Sequence, residues 1–175
     1  MLTQQQGMRR IVQRIVRIFG GVFLLTIVGL VGLQFAGPPG LFAPDQDAYD
    51  RTTVTVYDTS NQTLATITVR IADTPRTRYI GLSNTDVLAE DTGMLFVHDS
   101  DSEHTYSMRG MDFGLDIVFI DNEGKITTIH HAPNADGIER PATYAGSGRY
   151  VLEVRFNYTT ATGIEPGHRV EIDPW

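Results

Sequence analysis

Cysteine is absent from this 175-residue sequence, and lysine occurs only once, at Lys125. Without cysteine, the chain can form no disulfide, no thiolate metal site and no cysteine nucleophile. The lack of disulfides does not restrict the cellular compartment, because a domain of this size buries enough apolar surface to fold without crosslinks. Compartment and function must therefore be inferred from charge, hydropathy and the remaining side chains.

Acidic residues are absent before Asp45, so all 21 of them lie from that position onward. Four of the 14 basic residues precede Asp45, which gives residues 1–44 a charge of +4 and the remainder 10 − 21 = −11. Phosphate backbones repel a domain of that sign, so nucleic acid is excluded as a partner. Scarce lysine with abundant Asp and Thr resembles the composition of proteins from salt-loving archaea.

A long apolar segment covers residues 18–36, which contain no charged side chain. As a helix it would be about 28 Å long, close to the hydrocarbon thickness of a bilayer. Four arginines precede it and acidic residues follow it, so the positive-inside rule places residues 1–17 in the cytoplasm. The sequence therefore predicts a transmembrane helix over 18–36, a linker over 37–50 and an extracytoplasmic domain over 51–175.

A cleaved signal peptide is the alternative interpretation of the same segment. The apolar segment is long for a signal peptide, and no small-x-small cleavage site follows it. Retention predicts a single-pass protein of the cytoplasmic membrane, with the lipid bilayer as the partner of residues 18–36.

The remainder of the chain has the short alternating patterns that are typical of β-strands. Asp73-Thr74-Pro75 predicts the start of a short helix over 75–82, and a second helical turn is expected over 159–162. Residues 132–148 are rich in glycine and proline and predict a long loop. Strands are expected at 52–57, 63–71, 93–98, 105–108, 115–121, 125–131, 150–156 and 169–172. This order predicts a mainly β fold, a compact antiparallel β-sandwich or partly open barrel with two short helices.

Several phrases occur in an order that resembles the family called domain of unknown function 192, over about residues 63–172. The resemblance implies a compact, mainly antiparallel β-sandwich-like fold, frequent signals or anchors, and no established activity. The family's usual Met-Lys-Asn-Thr phrase departs here, since an arginine replaces its lysine and Gly110 its asparagine. The phrases are Gly93-Met94-Leu95-Phe96-Val97, Met108-Arg109, Leu115-Asp116-Ile117-Val118-Phe119-Ile120-Asp121, Val151-Leu152-Glu153 and Pro166-Gly167.

Arg109, Asp116 and Glu153 are the candidate residues of a binding pocket. Asp116 opens an apolar strand, where a carboxylate needs a partner, and Arg109 could supply a bidentate one. Glu153 lies on a strand face with Val151 and Arg155 and could join the same cluster. Such a cluster would form a polar pocket or raise the pKa of a carboxyl group for acid–base catalysis. The alternative is that these charges only tie strand ends and turns together.

Metal and cofactor sites are not predicted. His98, Asp99, Asp101, Glu103 and His104 have metal-binding groups, but they lack the glycine and the distant glutamate of a calcium loop. A solvated turn is the favoured interpretation of that segment. The adjacent pair at 130–131 would point to opposite faces of a strand and could not chelate together. No nucleophile elbow, phosphate loop or dinucleotide fingerprint occurs, so no catalytic residue is assigned.

Two sequons, at Asn61 and Asn157, are candidate glycosylation sites if the domain lies outside the membrane.

Three functions are compatible with this sequence. The leading hypothesis is a non-enzymatic, membrane-anchored module that binds a small ligand or a cell-surface protein. The second is an extracytoplasmic hydrolase or lyase that uses Asp116 or Glu153 as acid or base. The third is an accessory subunit of a membrane complex, which co-purification from membranes would separate from the first.

Overall fold

The computed structural model describes residues 49–134 and 142–175. The predicted cytoplasmic segment 1–17, the predicted membrane helix 18–36 and nearly all of the linker lie outside the described residues. Within the described part, no helix is long and apolar enough to cross a membrane.

Seven strands and two short helices make up the described domain, which confirms the mainly β prediction. The strands are β1 (Arg51–Tyr57), β2 (Thr63–Ala72), β3 (Thr92–Ser107), β4 (Leu115–Ile120), β5 (Ile126–Ala132), β6 (Thr143–Arg155) and β7 (Arg169–Ile172). The helices are α1 (Pro75–Ile80), between β2 and β3, and α2 (Tyr158–Thr162), between β6 and β7.

Helix α1 begins at the predicted residue but ends at Ile80, two residues before the predicted end, while α2 begins one residue before the predicted turn 159–162. The side chain of Thr74 accepts a hydrogen bond from the Thr77 backbone, Pro75 is the first helical residue, and Gly81 at the other end has a positive φ of 51°. Helix α2 ends at Gly163, which lies in the left-handed region with φ 74°.

The strands form one sheet in the order β5-β4-β6-β3-β2-β1-β7. Five of the six strand pairs are antiparallel, as expected, but β2 and β3 run parallel, from Thr68 beside Thr92 to Ala72 beside Phe96. A parallel pair needs a crossover connection, and residues 73–91, which include α1, are long enough to make one. The predicted antiparallel pairing is therefore confirmed at five strand pairs and wrong at this one.

The sheet curls into a half-barrel, since its two outer strands, β5 and β7, meet at one end. The backbone N–H of Ile126 donates to His168 O at 3.0 Å, and that of Gly167 donates to Ile126 O at 2.8 Å. Lys125 and Arg169 form a further antiparallel bridge. Of the two predicted architectures, the partly open barrel describes this arrangement.

Two segments differ from the predicted strand boundaries. Strand β3 is continuous through the two predicted strands 93–98 and 105–108, and β6 begins at Thr143, inside the predicted loop 132–148.

The β6 glycines are needed because neighbouring groups approach closely. A Cβ at Gly148 would lie 2.5 Å from Ile120 O, and one at Gly146 would lie 2.6 Å from the Phe119 ring. Glycine here permits close packing inside a strand, where the sequence pattern indicated a loop.

Apolar side chains cover both faces of the central strands. One cluster is centred on Ile67, Leu95 and Leu152, while a second contains residues of opposite orientation, including Phe96 and Phe119. All six residues of β4 are buried. Polar groups at the centre of this sheet therefore lie far from bulk water.

Candidate functional site

A cavity of about 430 Å³ lies where the crossover segment, β3 and the centre of β6 meet. Helix α1 and the turn after it form one wall, and the second half of β3 forms another. Glu153 and Arg109 both line it, although they are far apart in sequence. The structure therefore brings two of the three predicted pocket residues to one cavity.

Glu153 lies at the centre of the sheet, beside Met94 of β3 and Ile117 of β4. It is only 6% exposed, and burial raises the pKa of its carboxyl group to about 8. None of the hydrogen bonds formed among the described residues involves its carboxyl group, and neither does any ion pair. At neutral pH the carboxyl is accordingly protonated, neutral and able either to donate or to accept a hydrogen bond.

A histidine pair and a tyrosine line the same cavity as Glu153. The Tyr106 hydroxyl and His98 Nε2 are 2.9 Å apart, and the His98 ring stacks on His104 with 3.5 Å between centroids. Burial, then the charges of His104 and Arg78, lowers the pKa of His98 to about 4. Burial, followed by the charge of Glu153, raises the pKa of Tyr106. Both side chains are therefore uncharged at neutral pH.

Two arginines supply positive charge to the cavity. The Arg109 guanidinium lies 4.7 Å from the centre of the Tyr79 ring, and its Nη2 donates to Tyr79 O at 3.3 Å. Arg78 Nη1 donates to Val97 O at 2.6 Å and to Asp73 O at 2.5 Å. Backbone carbonyls thus fix both cations, and no ion pair within the described part of the chain involves either one.

Asp116 occupies a different position from the one expected. It does not line the cavity, and Arg109 is not its partner. Its fully buried carboxylate accepts hydrogen bonds from the backbone N–H groups of Asn157 and Thr159, from Thr159 Oγ1 and from His131 Nδ1, all at 2.7–3.0 Å. These contacts tie β4 to the start of α2 and to β5, which is the structural role given above as the alternative.

Residues 56–172 match the model of the DUF192 family, described as "Uncharacterized ACR". The chain belongs to the DUF192 family. This match confirms the family resemblance drawn from the ordered phrases and adds no activity to it.

Two solved structures resemble this DUF192 domain. One is a suspected transcription regulator from Sinorhizobium meliloti 1021, with a TM-score of 0.64 and 30% identity over 71% of this chain and 95% of that chain. The other is a protein of unknown function from Novosphingobium aromaticivorans DSM 12444, with a TM-score of 0.63 and 28% identity over 78% and 94% of the respective chains. No curated protein matches the sequence.

Residues 98–104, which carry the candidate metal-binding side chains, lie in an irregular part of β3. The register of β3 against β6 shifts between Val97 and Ser102, and Asp99, Asp101 and Glu103 are exposed there. Among residues 49–134 and 142–175, no group of three or more His, Asp or Glu side chains is arranged to hold a metal ion. His130 Nε2 contacts Ala145 O and His131 contacts Asp116, so the two neighbours serve separate contacts.

The two sequons differ in the folded domain. Asn61 and Asn157 are both exposed with φ values above 60°. Thr63 is also exposed, but Thr159 is 1% exposed and its hydroxyl is bound to Asp116. The sequon at Asn61 is therefore the one that stays accessible after folding.

Sequence reasoning missed Arg78, His98 and Tyr106 as cavity residues. Arg78 lies in the predicted helix 75–82, but a single arginine on a short helix gave no signal of a cavity. The alternation of His104 and Tyr106 along one strand was a usable signal, because residues two apart point to one face. The stacking of His98 on His104 depends on the irregular register of β3, which no local pattern shows.

Proposed function

We propose that this DUF192 domain is a non-enzymatic binding module that takes a small polar ligand into the cavity lined by Arg109 and Glu153. The observation that carries the proposal is the Glu153 carboxyl group, which lines the cavity, belongs to a residue only 6% exposed and forms no hydrogen bond with another described residue. Its oxygens still reach the cavity, because the one fully buried side-chain nitrogen or oxygen atom without a partner in the described part of the chain is Arg149 Nε. Buried polar groups in folded proteins are nearly always hydrogen-bonded, because an unpaired one costs about 1–3 kcal/mol. A ligand in the cavity could pair with the Glu153 carboxyl group, which the described residues leave without a partner.

Ligand binding is best tested by a screen that includes a blocked cavity. Ser107 lines the cavity and is exposed, so Ser107→Phe should fill it without disturbing the core. Ser100→Phe adds the same side chain at an exposed position of the same strand outside the cavity. In a thermal-shift screen of small polar compounds, binders should stabilise the unchanged protein and the Ser100 variant, but not the Ser107 variant. Equal stabilisation of all three proteins would contradict the proposal, as would a screen without binders.

The proposal includes anchoring by residues 18–36, with the domain on the outer side of the cytoplasmic membrane. It is supported by the charge of +4 before the apolar segment and −11 from residue 45 onward. The full chain is expected in the membrane fraction, and protease added to intact spheroplasts should digest the domain. Protection that persists until the cells are lysed would place the domain in the cytoplasm.

An extracytoplasmic hydrolase or lyase is the second candidate, favoured by the pKa of Glu153 at about 8. A carboxyl group that is protonated at neutral pH can act as a general acid. Asp116 is not proposed for this role, because four donors occupy its carboxylate. Mass spectrometry of each compound recovered from the screen separates the candidates: an unchanged compound indicates binding, and a converted one indicates an enzyme that Glu153→Gln should inactivate.

The suspected regulatory role of the Sinorhizobium relative is not proposed for this chain. From residue 45 onward the charge is −11, which opposes contact with DNA.

A further inference from the structure

We infer that the ligand of this cavity is a small zwitterion of the amino-acid class, whose ammonium group pairs with Glu153 and whose carboxylate pairs with Arg109. The inference rests on the proposed binding function and specifies its ligand. It is carried by the juxtaposition of an unpartnered, buried acidic side chain and two fixed arginines around one cavity of about 430 Å³.

The Glu153 carboxyl group favours a ligand that carries a hydrogen-bond donor. Asp116 lies on β4, the strand next to that of Glu153. It shows that the fold can surround a buried carboxylate with four donors where the group is structural. At Glu153 no described residue supplies a donor. An ammonium group offers three N–H donors and a positive charge, so it satisfies such a carboxylate more fully than a hydroxyl does.

Aromatic rings around Glu153 favour the same group. Phe96 and Tyr106 line the cavity in an edge-to-face pair, with 5.0 Å between their centroids. The Tyr106 hydroxyl is already engaged by His98. Aromatic faces attract cations, which adds to the preference for an amine.

Arg78 and Arg109, which line the same cavity, favour a ligand that carries an anionic group. The chain has 21 acidic residues, yet no carboxylate of the described part lies within ion-pair distance of Arg78 or Arg109. Both guanidinium groups are held by backbone carbonyls, and Arg109 also by the Tyr79 ring. An arginine whose orientation is fixed in advance loses little entropy when it binds a carboxylate through two N–H groups.

Charge at neutral pH agrees with a zwitterion. At pH 7 the Glu153 carboxyl group is protonated and neutral, so the two arginines give the cavity a positive charge that attracts an anionic group first. Arrival of an ammonium group then favours the ionised form of Glu153, which releases a proton. The cavity volume lies within the range of small-molecule sites and suits a single amino acid.

The test is isothermal titration calorimetry on the full 175-residue chain in detergent micelles, with the twenty L-amino acids as probes. For the amino acid that binds most tightly, two analogues follow: the acid without its amine, and the amine without its carboxylate. Each analogue is expected to bind the unmodified protein at least about ten-fold more weakly, since each loses one charged contact. Proton release at pH 7 is expected for the amino acid and for the amine, but not for the acid.

Two variants assign the two ends of the ligand. Glu153→Gln should weaken the amino acid at least about ten-fold and abolish proton release, but leave the weak affinity of the acid analogue unchanged. Arg109→Gln should also weaken the amino acid at least about ten-fold, but it should leave the weak affinity of the amine analogue unchanged. Proton release should persist in this variant. Glu165→Gln and Arg155→Gln are the matched exposed controls and should bind as the unmodified protein does.

The outcomes separate this inference from the proposed function. If the acid alone binds the unmodified protein as tightly as the amino acid, the inference is wrong, and this result needs no variant that might misfold. If no amino acid binds but Ser107→Phe still blocks a compound found in the screen, the zwitterion is wrong and the binding function stands. If neither amino acids nor screened compounds bind, both are wrong.

Discussion

Thr159 binds the buried carboxylate of Asp116 twice, through its backbone N–H at 2.8 Å and through its Oγ1 at 2.7 Å. Asp116 thereby caps α2 from another strand, because Asn157 at the helix start makes no capping hydrogen bond with its own side chain. Asp116→Asn replaces one of the two accepting oxygens by an NH2 group, which donates and cannot accept. We expect the free energy of unfolding to fall by about 3 kcal/mol in urea titrations, since buried donors lose their partner.

Asp112→Asn is the control for this substitution, because Asp112 is exposed and is changed in the same way. Its free energy of unfolding should stay within about 0.5 kcal/mol of that of the unmodified protein. A similar loss in both variants would show that Asp116 is not the anchor of α2.

Glu153 should make stability depend on pH between about 4.5 and 8. Its pKa is about 8 in the folded protein against 4.5 for the free side chain, so in this window the folded state keeps a proton that the unfolded state has lost. Stability therefore falls as pH rises, by at most about 1.4 kcal/mol per pH unit from this group. Glu153→Gln should gain stability relative to the unmodified protein as pH rises from 5 to 8.

Urea titrations at several pH values measure this difference. Glu165→Gln, at an exposed position, should show a constant difference over the same range. A constant difference for the Glu153 variant would show that its carboxyl group is ionised normally in the folded protein.

Gly148→Ala should destabilise the contact of β6 with β4. The added Cβ would lie 2.5 Å from Ile120 O, which is a backbone atom that can move only with its strand. We expect a loss of about 1–3 kcal/mol in the free energy of unfolding. Ser147→Ala, at the exposed neighbouring position, should have little effect, and an equal effect of the two would argue against the close approach.

The closure between β5 and β7 should protect backbone amides that would exchange quickly at free sheet edges. The N–H groups of Ile126, Gly167 and Val170 donate to carbonyls across this closure at 2.7–3.0 Å. In native-state hydrogen exchange they should be as slow as amides of central strands. Trp175, which follows the last strand, is the fast reference, and equal rates at Ile126 and Trp175 would indicate an open sheet.

Much of the fold followed from local pattern. Strand positions, the start of α1 at Thr74-Pro75 and the glycine that ends α2 were all predicted, because alternation and capping act over a few residues. The parallel pairing of β2 with β3 was not predicted, because a strand carries the same alternation in either direction. The start of β6 was missed since Gly146 and Gly148 are required by Phe119 and Ile120, which are distant in sequence.

The site was predicted only in part for a similar reason. The strand-face argument placed Glu153 correctly on the side of Val151, and the structure puts it at a cavity with Arg109. The same reasoning could not tell that Asp116 faces α2, because its partners Asn157 and Thr159 come from a turn after another strand. The partner of a buried charge depends on which distant segment packs against it, and the tertiary structure decides that.

The crossover that makes β2 and β3 parallel also places much of the proposed binding cavity on residues outside the packed core. None of the residues of α1 is buried, although this helix and the turn after it form a wall of the cavity. Under the proposed function, substitutions in α1 should alter what the cavity accepts with little effect on the packed sheet, whereas Leu82 in the turn after it is buried in the core. If the proposed binding function holds, redesign of the selectivity of the cavity should therefore begin at Pro75–Ile80.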